Sequence, residues 1–302
     1  MKKTVLVTGG AGFIGSHLSE ALLAKGYGVR VLDSLVYGNR DWVPAAAEFI
    51  EGDLCDKAIC DRAAAGVDGI FHTAAMSRPG PSSDSVEVCT ASNIVGTQNI
   101  LLAARTHKVR KLVYSASCCY YGSQPIPHRE YETPNETLNF YGLTKQVGEQ
   151  YCLLFDTLFD VPTVVLRYFN VYGPRQPETG AYALVLGIFL RARAKGEALN
   201  IHGTGEQRRD FVHVSDVVRA NIAAYESSAR RAVFNVGSGQ NISVKELADL
   251  ISPHQVFSPA RQGDAKATLA DITRIREALG WEPQVSFADG LRDIMRHMGI
   301  AA

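Results

Sequence analysis

The sequence predicts an α/β fold: a doubly wound parallel sheet with helices on both faces, followed by a smaller mixed α/β lobe. Three observations predict it. Short β-branched apolar runs alternate with helical patterns through the first half of the chain, a glycine-rich turn directly follows the first run, and the spacing loosens after residue 172. Such alternation is typical of parallel strands joined by helical crossovers. We expect one domain over residues 1–172, to which later segments return, and the lobe over 173–302.

The strands are predicted in order, each from its own apolar run. They lie at residues 5–7, 29–32, 48–50, 69–72, 111–115 and 163–167. Helices are predicted from their apolar spacing at 16–24, 94–106 and 141–159. Sheets of this kind bind ligands at the carboxyl ends of their strands. The residues that follow each strand are therefore the candidates for a functional site.

Composition excludes several classes of protein. The 302 residues include 31 basic and 31 acidic side chains, so no overall field attracts nucleic acid or a membrane surface. The longest apolar segment, residues 183–190, is far shorter than a bilayer span. Six cysteines at irregular spacing, without a secretory signal, indicate cytosolic thiols. We therefore expect a cytoplasmic protein. The sequence has no CxxC pair or histidine cluster that would indicate a metal site, so we expect no metal.

The turn after the first strand has the pattern of a dinucleotide site. Residues 8–15 read Thr-Gly-Gly-Ala-Gly-Phe-Ile-Gly, which contains G-x-G-x-x-G between a strand and a helix. Glycine lets the main chain approach a pyrophosphate, and the helix N-terminus offers N–H groups to the anion. An ordinary tight turn is also rich in glycine, but the strand–turn–helix setting favours the dinucleotide. The turn residues assigned to the cofactor are Gly9, Gly12, Phe13, Ile14 and Gly15.

The residues after the next strands indicate which dinucleotide binds. Asp33 ends the second strand about 20 residues beyond the turn, where a carboxylate accepts both ribose hydroxyls of NAD and repels the 2′-phosphate of NADP. NAD is therefore the predicted cofactor, although a strand-end aspartate can also merely cap a turn. Asp53 and Leu54, after the third strand, are candidates for the adenine contact. Ala74, after the fourth, is small enough for a cofactor to pass close to the backbone.

A tyrosine and a lysine carry the candidate chemistry. Tyr141 and Lys145 are four residues apart in a helical pattern and so share one face. A tyrosine titrates near ~10, too high for a base at neutral pH, but a nearby ammonium favours the phenolate and lowers that pKa. Ser117, after the fifth strand, can hydrogen-bond the same reacting hydroxyl. A surface pair would show the same spacing, but its place downstream of a dinucleotide turn favours acid–base catalysis.

Further motifs occur in order along nearly the whole chain. They are residues 72–75, 93–97, 115–122, 141–145 and 167–174, and later 205–211, 235–239 and 261–264. Together with the glycine turn they resemble the extended short-chain dehydrogenase/reductase family, specifically its nucleotide-sugar epimerases and dehydratases. The resemblance implies a Rossmann-like NAD-binding domain, a nucleotide-sugar-binding lobe and a UDP-linked substrate. It also implies a homodimer, formed through apolar faces of the helices at 94–106 and 141–159.

The same resemblance implies roles for individual residues. Tyr141 would be the acid or base at a sugar hydroxyl, Lys145 would hold the nicotinamide ribose, and Ser117 would orient the hydroxyl. Asn93 lies in a motif on the cofactor side. Four residues resemble those that bind the diphosphate, uridine or ribose of the substrate: Asn170, Arg209, Arg261 and Asp264. Asn170 could instead merely cap the turn that follows it, and Arg209 could be a solvated surface residue.

Two cysteines bear on the reaction. In family members that eliminate water, the two positions after the strand-end hydroxyl residue are typically an Asp–Glu pair, whereas this chain has Cys118 and Cys119. Inversion at C4 needs no such pair, because the serine, the tyrosine, the lysine and NAD are sufficient for it. The prediction is an epimerase that inverts C4 of a UDP-hexose, UDP-N-acetylglucosamine or UDP-glucose, through a transient 4-keto sugar.

Alternative hypotheses for the function remain open. A thiol in a polar, cationic site can act as an acid or base, so the alternative is a dehydratase, decarboxylase or 3,5-epimerase that uses Cys118 or Cys119 after oxidation at C4. Both cysteines can also simply pack as small neutral residues. In the 4-epimerases that the chain resembles, the position that aligns with Thr268 limits the room beside C2. The small size of Thr268 therefore implies an N-acetyl sugar, unless it is merely a strand residue. A non-catalytic NAD-binding regulator is a third hypothesis, opposed by the intact serine, tyrosine and lysine.

Overall fold

Short strands recur along the whole chain. The computed structural model describes residues 2–77, 79–132, 137–178, 183–260 and 266–300. Its strands are β1 (Thr4–Thr8), β2 (Gly28–Asp33), β3 (Glu48–Glu51), β4 (Gly69–His72), β5 (Lys111–Ser117), β6 (Thr163–Tyr168), β7 (Asn170–Tyr172), β8 (Leu199–His202), β9 (Arg208–Arg209), β10 (Phe211–His213), β11 (Ala232–Val236), β12 (Ile242–Ser243) and β13 (Gln255–Ser258).

One large parallel sheet organises these strands. Within the described residues it has seven strands in the order β11-β6-β5-β4-β1-β2-β3, and every neighbouring pair is parallel. The predicted fold class is confirmed, and each of the six predicted strands is present. The sequence did not predict β11, a five-residue run that includes the fully buried Asn235. This strand brings the later part of the chain back to the edge of the sheet beside β6.

Helices cover both faces of the sheet. They are α1 (Phe13–Ala24), α2 (Lys57–Ala64), α3 (Pro79–Asp84), α4 (Val86–Thr90), α5 (Gly96–Thr106), α6 (Phe140–Phe159), α7 (Val185–Ala194), α8 (Val214–Glu226), α9 (Val244–Ile251), α10 (Thr273–Leu279) and α11 (Phe287–His297). The helix predicted from residue 94 begins at Gly96, because a π-helical turn, Ala91–Val95, precedes it.

Alternating side chains of the strands form two cores. On β1, Val5 and Val7 face the layer that contains α1 and α8, whereas Leu6 faces the layer that contains α2, α5 and α6. All three side chains are fully buried, and burial of one such side chain stabilises the fold by about 1.5–3 kcal/mol. Gly148 allows α6 to approach the sheet closely, since a Cβ there would lie 2.1 Å from the Tyr114 hydroxyl.

The later part of the chain forms small sheets and a third core. β7 pairs with β10 in parallel, β8 with β13 in parallel, and β9 with β12 in antiparallel orientation. α7, α9 and α11 bury apolar side chains against β8 and β10. This is the mixed α/β arrangement predicted for the lobe. The boundary at residues 172 and 173 stays a prediction.

An apolar stripe remains exposed on α6. Leu143, Leu154 and Leu158 are 43%, 54% and 65% exposed and recur at helical spacing. The homodimer through this helix stays a prediction. In the portions of the chain that the structure describes, no helix is long and apolar enough to cross a membrane.

Candidate active site

A pocket of about 530 Å³ lies at the carboxyl ends of the sheet strands, where the sequence places the site. It runs from the glycine turn after β1 to the first turns of α6. Most of the predicted site residues line it: Gly9, Gly12, Phe13, Ile14, Gly15, Asp33, Asp53, Leu54, Ala74, Ser117, Cys118, Cys119, Tyr141, Lys145 and Asn170.

The glycine turn fits a pyrophosphate. Gly9 has φ +71°, and a Cβ on Gly15 would lie 2.1 Å from the Gly9 carbonyl oxygen, so the turn cannot form with side chains there. Gly12 is the N-cap of α1 and provides no side-chain cap. The first N–H groups of a helix have no acceptor within that helix. Phe13 and Ile14, the first two residues of α1, line the pocket. A helix N-terminus at a pocket wall is a typical binding site for an anion.

Asp33 is fixed at the end of β2. Its Oδ2 accepts a hydrogen bond from the Ala11 amide at 3.0 Å, and its Oδ1 accepts one from the Leu35 amide at 2.8 Å. Gly38 leaves room beside the carboxylate, because a Cβ there would lie 2.8 Å from Oδ1. Each carboxylate oxygen keeps a further lone pair. Asp33 can therefore accept hydroxyl groups in the pocket while its backbone bonds hold it in place.

Asn93 lies behind the pocket wall and does not line the pocket. Its Oδ1 accepts from the Met76 amide at 2.8 Å, and its Nδ2 donates to the Met76 carbonyl and to Thr144 Oγ1, both at 2.9 Å. Thr144 stands between Tyr141 and Lys145 on α6. Asn93 thus clamps the segment after β4, which includes Ala74, to the helix that bears the tyrosine and the lysine.

A chain of hydrogen bonds holds the end of β4. The hydroxyl of Thr97 donates to the Asn93 carbonyl at 2.7 Å, so His72 Nε2 donates to Thr97 and His72 Nδ1 accepts from Thr8 Oγ1. Burial and the nearby Lys145 lower the pKa of His72 to about 3. The imidazole is therefore neutral and structural. It orients the Thr8 hydroxyl, which accepts from the Ala74 amide at 3.3 Å.

Tyr141 and Lys145 stand in the first turns of α6. Asn139 caps this helix by accepting from the Gly142 amide at 2.8 Å, and the Tyr141 amide donates to Ser82 Oγ at 3.0 Å. Lys145 is 3% exposed, and its Nζ donates to the Ser115 carbonyl at 2.8 Å. Burial lowers the pKa of Lys145 to about 8. The ammonium is charged at neutral pH and has two further N–H donors.

Ser117 and the cysteines form the turn after β5. Ser117 Oγ accepts from the Cys119 amide at 3.2 Å, so its hydroxyl hydrogen can be donated elsewhere. The hydrogen bond with Cys119, together with burial, raises the pKa of the Cys118 thiol well above its ordinary value. Cys118 is therefore a neutral thiol at pH 7.

The residues predicted for the substrate fall into different places. Asn170 lines the pocket, and its Nδ2 donates to the Asp210 carbonyl at 3.0 Å and to Thr268 Oγ1 at 3.3 Å. The Thr268 hydroxyl also accepts from the Asp210 amide at 3.1 Å. Thr268 and Arg209 are not part of the pocket lining. The structure places Thr268 behind the asparagine, as a support for its amide.

Three further residues were predicted to bind the substrate: Arg209, Arg261 and Asp264. The guanidinium of Arg209 donates to the Arg208 carbonyl at 2.9 Å on β9. Arg261 and Asp264 lie outside the described residues. The substrate roles of these residues stay predictions.

The carboxylates of the pocket are all at one end. Among the described residues that line it, only Asp33 and Asp53 are acidic; Asp33 ends β2 and Asp53 follows β3. Tyr141, Lys145 and Ser117 lie beyond β4, across β1 from those strands. No described acidic side chain lines the pocket beside them.

Several lining residues were not predicted. Val36 and Tyr37 follow Asp33 and remain 66% and 60% exposed, and the rule that strand ends bind ligands would have indicated them. Phe169 follows β6 in the same way. Pro177 lines the pocket from a loop and has no local signal in the sequence.

The fold and the pocket together define an enzyme of the extended short-chain dehydrogenase/reductase class. The chain belongs to the NAD dependent epimerase/dehydratase family, whose profile matches residues 5–237. Its cofactor is NAD, which the glycine turn and Asp33 fit.

Individual relatives are similar over nearly the whole chain. A putative UDP-glucose 4-epimerase from Methanocaldococcus jannaschii is 35% identical over 303 residues, which covers 97% of this chain and 98% of the relative. A UDP-N-acetyl-alpha-D-glucosaminuronate decarboxylase from Bacillus cytotoxicus is 31% identical over 316 residues and covers 98% of each. The structure of UDP-N-acetylglucosamine 4-epimerase from Methanobrevibacter ruminantium M1, in complex with UDP-N-acetylmuramic acid, has a TM-score of 0.93 at 32% identity and covers 99% of each chain.

Proposed function

We propose that this protein inverts C4 of a UDP-hexose. One observation carries the proposal: Tyr141, Lys145 and Ser117 line a pocket that fits NAD, and no described acidic side chain lines the pocket beside them. Elimination of water after oxidation needs a base at a sugar carbon and an acid at the leaving hydroxyl. Inversion at C4 needs only a group that takes and returns the hydroxyl proton. The side chains present are sufficient for the second reaction.

The tyrosine is the proposed acid and base. Tyr141 removes the proton from the O4 hydroxyl and returns it at the end of the cycle. Lys145 favours the phenolate by its charge. Its Nζ donates one hydrogen bond to the Ser115 carbonyl on β5 and has two further N–H donors for the nicotinamide ribose. Ser117 donates its hydroxyl hydrogen to the sugar oxygen, since its own oxygen is already an acceptor for the Cys119 amide.

The cofactor residues have separate tasks. The amides after Gly12 bind the pyrophosphate, Asp33 binds the adenosine ribose, and Asp53 and Leu54 contact the adenine. When bound, NAD supplies the reversible removal of hydride from C4 of the sugar. Ala74, which is held by the Thr8 hydroxyl, leaves the space that a cofactor needs beside the backbone. Asn93 supports this wall from behind.

UDP-glucose and UDP-N-acetylglucosamine are the proposed substrates. The relative from M. jannaschii is a putative UDP-glucose 4-epimerase, and the enzyme from M. ruminantium is a UDP-N-acetylglucosamine 4-epimerase. The small size of Thr268, whose hydroxyl accepts from Asn170 Nδ2 at 3.3 Å, favours the N-acetyl sugar of the two. In the proposal Asn170 binds substrate, and Arg209, Arg261 and Asp264 are the further candidates for doing so.

A substrate panel tests the proposal. The protein with NAD is incubated separately with UDP-glucose, UDP-N-acetylglucosamine and UDP-glucuronic acid, and the products are identified by NMR. We expect the C4 epimer of at least one hexose and no net change in the cofactor. A 4-keto product, a 5,6-ene, or a pentose with released CO₂ would contradict the proposal.

The decarboxylase relative and the cysteine pair support a lyase as the second candidate. In that reaction Cys118 or Cys119 would exchange a proton at a sugar carbon. The raised pKa of Cys118 opposes a thiolate base at pH 7.

Replacing both cysteines separates the two candidates. General acid–base catalysis contributes about 10²-fold or more, and the cysteines contribute none in the proposed epimerase. We therefore expect the double variant Cys118→Ala, Cys119→Ser to keep kcat within about threefold of wild type, a change that a small loss of packing can cause. The single variant Cys152→Ala, at a buried thiol on α6 outside the pocket, is the control for packing. A loss of 10²-fold or more in the double variant alone would favour the lyase.

A further inference from the structure

A buried ion pair lies behind the pocket. Glu149 and Arg167 have side chains that are each 3% exposed. Arg167 Nη2 donates to Glu149 Oε1 at 2.6 Å, and Arg167 Nε donates to Oε2 at 2.9 Å. This paired geometry fixes the mutual orientation of the two side chains. A buried pair often stabilises a fold no more than apolar residues of the same volume would, so its presence calls for another reason.

The pair joins three segments, and each of them contains or adjoins a proposed active-site residue. Glu149 follows Lys145 by four residues on α6, so both lie on one helix face, about 6 Å apart along the axis. Arg167 belongs to β6, three residues before Asn170. The third segment is the turn that Ser117 caps.

Two tyrosines connect the turn to the pair. The Tyr120 hydroxyl donates to Glu149 Oε2, and Arg167 Nη1 donates to the Tyr121 hydroxyl at 2.7 Å. Both tyrosines are fully buried and belong to the turn Cys118–Tyr121, which begins directly after Ser117. The Arg167 guanidinium also lies 5.0 Å from the Tyr120 ring centre. The turn is therefore held both by hydrogen bonds and by packing.

The same arginine extends the connection to the loop before α6. Arg167 Nη1 donates to the Glu130 carbonyl at 3.0 Å, and Glu130 Oε1 accepts from the Asn235 amide on β11 at 2.8 Å. None of Glu149, Arg167, Tyr120 and Tyr121 lines the pocket that the described residues outline. Any effect of these groups on the reaction must therefore pass through the residues that they hold.

We propose that Glu149 and Arg167 are positioning residues that set the separation between Ser117 and the Tyr141–Lys145 pair. The inference rests on the proposed function for the identity of those three residues. A catalytic group must be held within about 0.5 Å of its productive place, and a displacement of 1 Å can lower the rate by about 10²-fold. One bidentate pair that bonds the turn, the helix and the strand provides that constraint.

The main test replaces both charges at once. In the double variant Glu149→Met, Arg167→Met no buried charge is left without a partner, and such replacements are often tolerated. We expect kcat to fall at least tenfold, while KM and the Kd for NAD remain within about threefold. A crystal structure of the variant should show the separation between Ser117 Oγ and the Tyr141 hydroxyl changed by about 0.5 Å or more.

A second ion pair, between Asp156 of α6 and the more exposed Arg230, gives the control. Asp156 is 5% exposed on α6, and Arg230 Nη2 and Nε donate to its Oδ1 at 2.7 and 3.1 Å. Its Oδ2 accepts from the Thr163 amide at the start of β6, the end of the strand remote from the pocket. The variant Asp156→Met, Arg230→Met should leave kcat and the Ser117–Tyr141 separation unchanged.

Tyr120→Phe is the milder variant, since it removes only the hydroxyl that links the turn to Glu149. We expect kcat to fall about threefold or more with unchanged NAD affinity, an effect of the size of one hydrogen bond. Wild-type kcat in both variants, or a lower kcat with an unchanged separation, would overturn the proposal. If the wild-type protein epimerises no UDP-hexose, the proposed function fails, and the crystallographic separation still decides the positioning role.

Discussion

Replacing Tyr141 by phenylalanine should lower kcat by about 10²–10⁴-fold, the contribution of a well-placed general acid or base. The change removes one oxygen atom and leaves the helix start intact. The Asn139 cap and the bond from the Tyr141 amide to Ser82 both use the backbone of α6. The fold and the Kd for NAD should therefore be close to wild type. Steady-state kinetics on the best substrate of the panel, with NAD binding followed by fluorescence, provide the measurement.

Tyr151→Phe is the matched control for this prediction. Tyr151 lies on the same helix, ten residues further on, and does not line the pocket. Its substitution should leave kcat unchanged. If Tyr141→Phe also retained wild-type turnover, the acid–base role would be excluded, and a protein that binds NAD without using it would again be a candidate.

The cofactor half of the site was predictable because its signals are local. The turn from Gly9 to Gly15 requires glycine at fixed positions within seven residues, and Asp33 follows at the end of the next strand. Strand alternation then places both at the same edge of the sheet. Each of these inferences uses residues that are close in sequence or related by a simple topological rule.

The substrate half was less predictable because its contacts are distant in sequence. Asn170 is 98 residues from Thr268, and the bond between them cannot be read from either local segment. The support that the Thr268 hydroxyl gives to the Asn170 amide was therefore not predictable, and its role beside the sugar stays a prediction. The same limit explains why β11 was missed: its five residues join the sheet only because β6 offers a free edge.

Lys145→Met should make the protein inactive and, at pH 7 without NAD, more stable. Burial lowers the pKa of this lysine from 10.5 to about 8. A shift of that size corresponds to roughly 3 kcal/mol that folding loses while the ammonium is charged. Methionine has no charge to bury, but the Ser115 carbonyl loses its donor, which costs about 1–3 kcal/mol. We expect a net gain of up to about 2 kcal/mol in the free energy of unfolding, measured by urea denaturation.

The stability advantage of Lys145→Met should depend on pH, which an effect of packing alone would not. Between pH 8 and 10.5 the unfolded wild-type chain holds a proton on Lys145 that the folded chain has released, so the wild-type protein gains stability as pH rises through this range. The variant lacks that gain, and its advantage at pH 7 should shrink by pH 10.

Lys111→Met is the control for kcat. Lys111 is also buried, and its pKa is also lowered to about 8. It lies outside the pocket, where its Nζ donates to the carbonyls of Ala224 and Ser227. The variant should keep wild-type kcat. An advantage of Lys145→Met that stays constant with pH would contradict the explanation. Burial of the charged Lys145 side chain would then not be what lowers the free energy of unfolding of the wild-type protein.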